Sequence, residues 1–294
     1  VRLPSGVLLS VLASVMFGVL YFLPARLGLT GEEFYGWRVL LTVPLVAVLL
    51  AASGRWRTVR EMAGRIRARP GVLGRLAATA ALLGPQLWLF SWAPNNGHAL
   101  EVALGYFLMP LVMVVIGLLL HGERLSRLRV LAVLCAVVGV GNELLRVGAL
   151  SWSTVLVALG YPAYFELRRR LGTATTGGMW FELVLMLPVA GWFLLTGPTG
   201  GAAVDRTGLL VLMGLLSATA LVCYLVASQV LSFSLFGLLS YVEPVCLALV
   251  SVVLLHEAIT AREWFTYGPI WAAVALLVLE GAAQARRMRG LRAG

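Results

Sequence analysis

Arg38, Glu182 and Glu243 stand inside long apolar stretches of this 294-residue chain. Charged groups in such surroundings are costly and mark functional positions. Glu243 lies in the middle of its stretch, directly before Pro244. A proline removes the backbone hydrogen bond to the carbonyl four residues back and kinks a helix. A carboxylate beside freed carbonyls can hold a cation, select for charge, or take up and release a proton. Arg38 can face an anionic group. Glu182 occupies a depth that matches Arg38 from the opposite end of its own stretch.

Aromatic and amide side chains fall at similar depths: Phe17, Tyr21, Gln86, Trp88, Trp92, Tyr106, Tyr161, Tyr164, Tyr224 and Tyr241. Aromatic faces near a carboxylate suit an organic cation or zwitterion through cation–π attraction. The expected solute-binding set is Glu243, Tyr241, Tyr106, Trp88, Trp92, Gln86, Arg38, Tyr21, Tyr161 and Glu182. Glu101 is expected in an outer vestibule, and Glu166 is expected to pair with Arg168, Arg169 or Arg170.

These side chains need a bilayer to position them. Of all residues, 60 % are hydrophobic and only 12 % are charged, against roughly 25 % charged in soluble domains. Mean hydropathy is +0.93. Together with 32 glycines, about 208 residues are available for membrane helices of about 20 residues each, which predicts about ten. Ten apolar runs are found, at about 5–25, 33–53, 72–92, 99–121, 127–145, 149–167, 177–196, 208–230, 235–256 and 263–282. The run from Leu3 to Ala25 reads as the first of them and not as a signal peptide. Trp56, Trp152 and Trp264 sit at run ends, as interface anchors do.

The charge is +10, and all 23 basic residues are arginine. Eighteen of them fall before the first run, after the second, fourth and sixth, or in the tail, and four fall in the alternate loops. That asymmetry is a positive-inside signal. It predicts both termini in the cytoplasm and explains the basicity without nucleic acid.

An internal repeat runs through the chain. Tyr106 to Pro110 and Glu123 to Ser126 recur at an offset of 134 as Ser240 to Pro244 and Glu257 to Thr260. Earlier positions align at an offset of 144, where Arg38 meets Glu182 and Pro44 meets Pro188. Runs one to five (residues 1–147) thus repeat as runs six to ten (148–294). Five is odd, so the second half must be inverted, which is a transporter architecture. The fold expectation is an all-α integral membrane protein with ten transmembrane helices in two inverted five-helix repeats around a central cavity.

Several chemistries find no support. Cys135, Cys223 and Cys246 lie in apolar runs without paired spacing, and His98, His121 and His256 show no metal-ligand spacing. No zinc-protease, nucleophile-elbow or Walker sequence is present. No catalytic residue, metal or cofactor is expected. The alternatives to transport are a membrane-embedded lipid-modifying enzyme and a non-transporting sensor.

The run from Trp92 to Leu111, with Asn95-Asn96-Gly97-His98 and Gly105-Tyr106-Phe107-Leu108-Met109-Pro110, resembles the RarD branch of the drug/metabolite transporter superfamily (EamA-type). So do Gly117 through Ser126, Phe181-Glu182, Leu187-Pro188, Leu238 through Pro244, and Trp271. The likeness covers nearly the whole chain. It implies ten helices in two inverted halves, a central cavity and alternating access, in the inner membrane of a bacterium. Trp37-Arg38 falls where this family usually carries a His-Arg pair, Met109 where it carries Asn, and Glu243 where it carries a small residue. The expected function is transport of a small organic metabolite or drug, cationic or zwitterionic, with Glu243 serving charge selectivity or proton coupling. The oligomeric state is left open.

Overall fold

The computed structural model describes residues 3–21, 23, 27–148, 150–198, 207–243 and 261–293. For 3, 4, 21, 94, 99, 100, 261–263 and 281–293 only the backbone is described. Regular structure among the described residues is helical throughout, in eleven α-helices. They are α1 (Leu3–Tyr21), α2 (Gly31–Ala52), α3 (Trp56–Ala68), α4 (Gly71–Trp92), α5 (Ala99–His121), α6 (Arg127–Val147), α7 (Trp152–Leu171), α8 (Thr176–Thr196), α9 (Thr207–Val230), α10 (Phe233–Leu239) and α11 (Ala261–Ala293).

Nine of the ten apolar runs coincide with one of these helices. The ninth run, 235–256, is described only as far as Glu243. By length and composition, α2, α4, α5, α6, α8 and α9 can each cross a membrane. Shorter apolar stretches lie in α1 and α11.

The helix ends follow from local chemistry. Thr30 caps α2: its hydroxyl accepts from the Glu33 amide (3.2 Å), and the Glu33 carboxylate accepts from the Thr30 amide (3.1 Å), which makes a capping box. Ser126, Ser151, Thr175 and Ser232 cap α6, α7, α8 and α10 in the simpler way. The narrow gap between the fifth and sixth runs holds, because Gly148 closes α6 and Ser151 opens α7. Helix α3 is the departure from expectation, since its residues were read as a loop. Val59 and Met62 recur on one side and are buried, while arginines fill the other side, so the segment folds as an amphipathic helix.

The main helix pairs are α6 with α11, α1 with α9, α2 with α8 and α9, and α5 with α7 and α10. Helix α4 packs on α7 and α8. Close approach of α4 and α7 depends on Gly160, where a Cβ would collide with the Gln86 amide. One large apolar core runs through all of them, with α3 contributing Val59, and the candidate site opens inside it.

Candidate functional site

Pro244 has no N–H to offer the Ser240 carbonyl. The helix is interrupted at Ser240 and Tyr241, ahead of that proline. Helix α10 ends at Leu239, and tight turns follow: Ser240 N donates to Gly237 O (2.9 Å), Tyr241 N to Leu238 O (3.2 Å) and Glu243 N to Ser240 O (3.2 Å). This break carries Glu243 to the wall of a central cavity of about 40 Å³, room for a few water molecules.

Arg38 of α2 reaches the same cavity. It is only 2 % exposed. Its Nε donates to Ser217 Oγ on α9 (3.1 Å), and its guanidinium carbon lies 5.3 Å from the Phe90 ring centre and 5.9 Å from that of Phe17. Nη1 has no hydrogen-bond partner, and no carboxylate lies within ion-pair distance among the described residues. Burying a cation costs several kcal/mol on the order of magnitude unless a partner offsets it. Aromatic faces and one hydroxyl offset part of that, and the remaining donor capacity is directed into the cavity wall.

The rest of the wall is aromatic and thioether. Tyr106 of α5 and Tyr161 of α7 stand with ring centres 6.0 Å apart, and Phe90 meets Tyr106 edge-on at 6.3 Å. Tyr224 of α9 shares a hydrogen bond with Ser240 Oγ (3.0 Å), at the break that presents Glu243. Met109 and Met179 close the remaining sides. A carboxylic acid and a guanidinium thus face an aromatic space from different segments of the chain.

Of the expected site residues, Arg38, Tyr106, Tyr161 and Glu243 line this cavity. Tyr241, Gln86, Trp88, Trp92 and Glu182 lie elsewhere. Tyr241 is fully buried, and its hydroxyl donates to Phe107 O (2.8 Å), tying the break to α5. Gln86 Nε2 donates to Leu156 O (2.9 Å), tying α4 to α7. Trp88 and Trp92 stack at 5.0 Å, and Trp92 continues onto His98 (5.1 Å) and Trp152 (6.1 Å). His98 and Ser153 both bond Glu101, at 2.8 and 2.7 Å. The side chain of Tyr21 lies outside the described residues.

Glu182 forms a second buried polar centre. Its carboxylate accepts from Thr79 Oγ1 (2.6 Å) and Tyr164 Oη (2.9 Å), and Arg168 Nε lies 3.1 Å away. Arg168 also donates to Thr173 O and Thr175 O, and packs over the Tyr164 ring. Sequence reasoning assigned Arg168 to a loop beside Glu166. Glu166 pairs with Arg170, as expected, and also bonds His121. Ser217 and Thr79, the hydroxyl partners of the two centres, were also missed. A polar residue within an apolar run was the signal available for both.

One more contact joins distant parts of the chain. Gly122, in the left-handed conformation, turns the chain after α5 and sends Glu123 onto the start of α10. Glu123 accepts from Phe233 N (2.6 Å) and Ser234 N (3.0 Å). Partial burial alone would raise the Glu123 carboxyl, but the Ser234 hydroxyl and these two amides outweigh it and hold the group below the usual carboxylate range. A Cβ at Gly117 would collide with Ser234 Oγ, so only glycine leaves room for this contact.

Comparison with known proteins places this geometry in context. Residues 4–142 match the EamA-like transporter family. A relative from Pseudomonas aeruginosa, the chloramphenicol-sensitive protein RarD, is 41 % identical over 97 % of this chain and 96 % of its own. An uncharacterized transporter from Haemophilus influenzae is 36 % identical over 94 % of both chains. The Escherichia coli protein RarD is 30 % identical over 96 % of both. A solved crystal structure overlays on 97 % of this chain and 99 % of its own with a TM-score of 0.68, at 19 % identity, a likeness of fold alone.

Proposed function

The chain belongs to the EamA-like transporter family, in its RarD-like branch, and from this we propose that it moves a small organic solute across the bacterial inner membrane through the cavity of Arg38 and Glu243. The single observation that carries the reading is Arg38, a buried cation with no carboxylate within ion-pair distance among the described residues, facing the same cavity as Glu243. A zwitterionic solute fits that pair best. Its anionic group completes the Arg38 donors, and its cationic group meets Glu243 and the tyrosine faces. Glu243 also serves as the proton-coupling group.

The architecture we infer is ten spans in two inverted halves, 1–147 and 148–294, with both termini cytoplasmic, working by alternating access. The helix contacts support it. They pair α2 with α8, α5 with α10 and α6 with α11, which are the second run with the seventh, the fourth with the ninth and the fifth with the tenth. The arginine-rich loops support the orientation. The cavity of about 40 Å³ is small for an organic solute, so on this reading a solute must widen it.

A thermal-stability screen of amino acids, amines, quaternary ammonium compounds and antibiotics identifies the solute class, because a ligand of the folded state stabilises it by mass action. Flux of the identified solute into proteoliposomes is then measured across a pH gradient. Wild-type flux is expected to follow the gradient, and Glu243→Gln to lose that dependence. Unchanged flux and pH dependence in Glu243→Gln would remove the coupling role.

A further inference from the structure

Transport leaves unused an arginine-rich surface between the second and third apolar runs. Residues 55–75 carry seven arginines and one glutamate, a net charge of +6. Helix α3 occupies most of this stretch and is fixed in place. Met62 clusters with Val72 and Leu76 of α4, with Phe181 and Leu185 of α8 packed against them. Thr58 Oγ1 lies 3.0 Å from Thr176 Oγ1, and Arg65 Nη1 donates to Gly172 O (2.7 Å). A Cβ at Gly177 would collide with the Thr58 carbonyl, so the start of α3 lies directly against the start of α8.

The opposite side is exposed arginine. Arg57 is matched by Glu61 (3.0 Å). Arg60, Arg67, Arg69 and Arg75 are exposed and have no ion-pair partner among the described residues. Their depth is set by α4, a membrane-crossing helix that begins at Gly71. Arg69 stands just before it, and Arg75 stands in its second turn, beside exposed Leu73. Arginine at the end of a span runs its stem along apolar surface and delivers its guanidinium to the headgroup layer. A guanidinium binds phosphate in a bidentate manner, which a lysine cannot do.

We propose that this basic face is a binding surface for anionic phospholipid headgroups in the adjoining leaflet. Charge complementarity selects the occupant, and the headgroup depth of Arg69 and Arg75 selects a lipid over a dissolved polyanion. Because α3 also covers the starts of α4 and α8, lipid bound there braces the bundle at that end. The surface does not depend on the solute or on which leaflet adjoins it.

The test needs no transport substrate. The full chain is placed in nanodiscs of phosphatidylcholine alone or mixed with phosphatidylglycerol, and its unfolding midpoint is recorded. The wild-type midpoint is expected to rise by about 4 °C or more with the anionic lipid. High salt should suppress the rise. The variant R60Q/R67Q/R69Q/R75Q should match wild type in phosphatidylcholine and lose at least half of the rise. A wild type indifferent to anionic lipid, or a variant that keeps the whole rise, overturns the proposal. An equal rise with inorganic phosphate in phosphatidylcholine discs overturns the lipid assignment as well.

Discussion

Two arginines are buried in this molecule to nearly the same extent, and their surroundings differ. Arg168 is 1 % exposed and has a carboxylate at 3.1 Å, two backbone carbonyls and a tyrosine face. Arg38 is 2 % exposed and has one serine hydroxyl and two phenylalanine faces. The first charge is compensated inside the protein. The second is compensated only in part, beside a cavity that Glu243 also lines. A membrane protein tolerates that deficit where a solute supplies the missing partner. On the proposed reading the contrast separates a structural ion pair from a solute-binding group, although both arginines sit within helices.

Removing the compensation from Arg168 should have the largest effect. Glu182→Ala leaves a buried guanidinium without its carboxylate and is expected to cost about 3–5 kcal/mol of stability, read as a lower unfolding midpoint. Adding Arg168→Met to that variant should recover part of the loss, because the pair is then removed as a unit. A midpoint for Glu182→Ala equal to that of wild type would dissolve the contrast between the two arginines.

The Glu123 contact should give a smaller effect with a distinctive pH dependence. The folded state holds this carboxyl below its ordinary range of about 4.3. Its contribution is therefore present above that range and lost as pH falls through the lower folded value. Glu123→Gln is expected to cost about 1.5–3 kcal/mol at neutral pH, as hydrogen bonds to a charged group do. The deficit should shrink on acidification, and midpoints recorded from neutral to acid pH check it. The smallest effect is expected at the break itself. Tyr241→Phe loses the bond to Phe107 O, at a cost of about 1 kcal/mol, with flux of the identified solute reduced less than by Arg38 or Glu243 substitutions.

Much of this was legible in the residues. Apolar length marked nine of the described helices, and Pro244 drew attention to the neighbourhood in which the ninth run breaks its helix, at Ser240 and Tyr241. Helix α3 was hidden because its apolar side is little more than Val59, Met62 and half-buried Ile66 among four arginines. Depth along a run was readable, which is why Arg38, Glu243, Tyr106 and Tyr161 emerged together. Direction around the helix axis was not. Trp88, Trp92, Gln86 and Tyr241 stand at suitable depths, and their side chains are turned onto neighbouring helices. Partners between helices were equally hidden, so Arg168 read as a loop charge until packing set it against Glu182.

The most direct test of the account is the unfolding midpoint of Arg38→Gln with and without the solute that stabilises wild type. The account predicts that the solute-free variant unfolds within about 1 kcal/mol of wild type, because an incompletely paired charge has been removed. The same variant should lose solute affinity by tenfold or more, the equivalent of one charge-assisted hydrogen bond of roughly 1.5–3 kcal/mol. A variant that loses several kcal/mol of stability, as Glu182→Ala should, yet keeps its solute response would make Arg38 a structural residue and contradict the account.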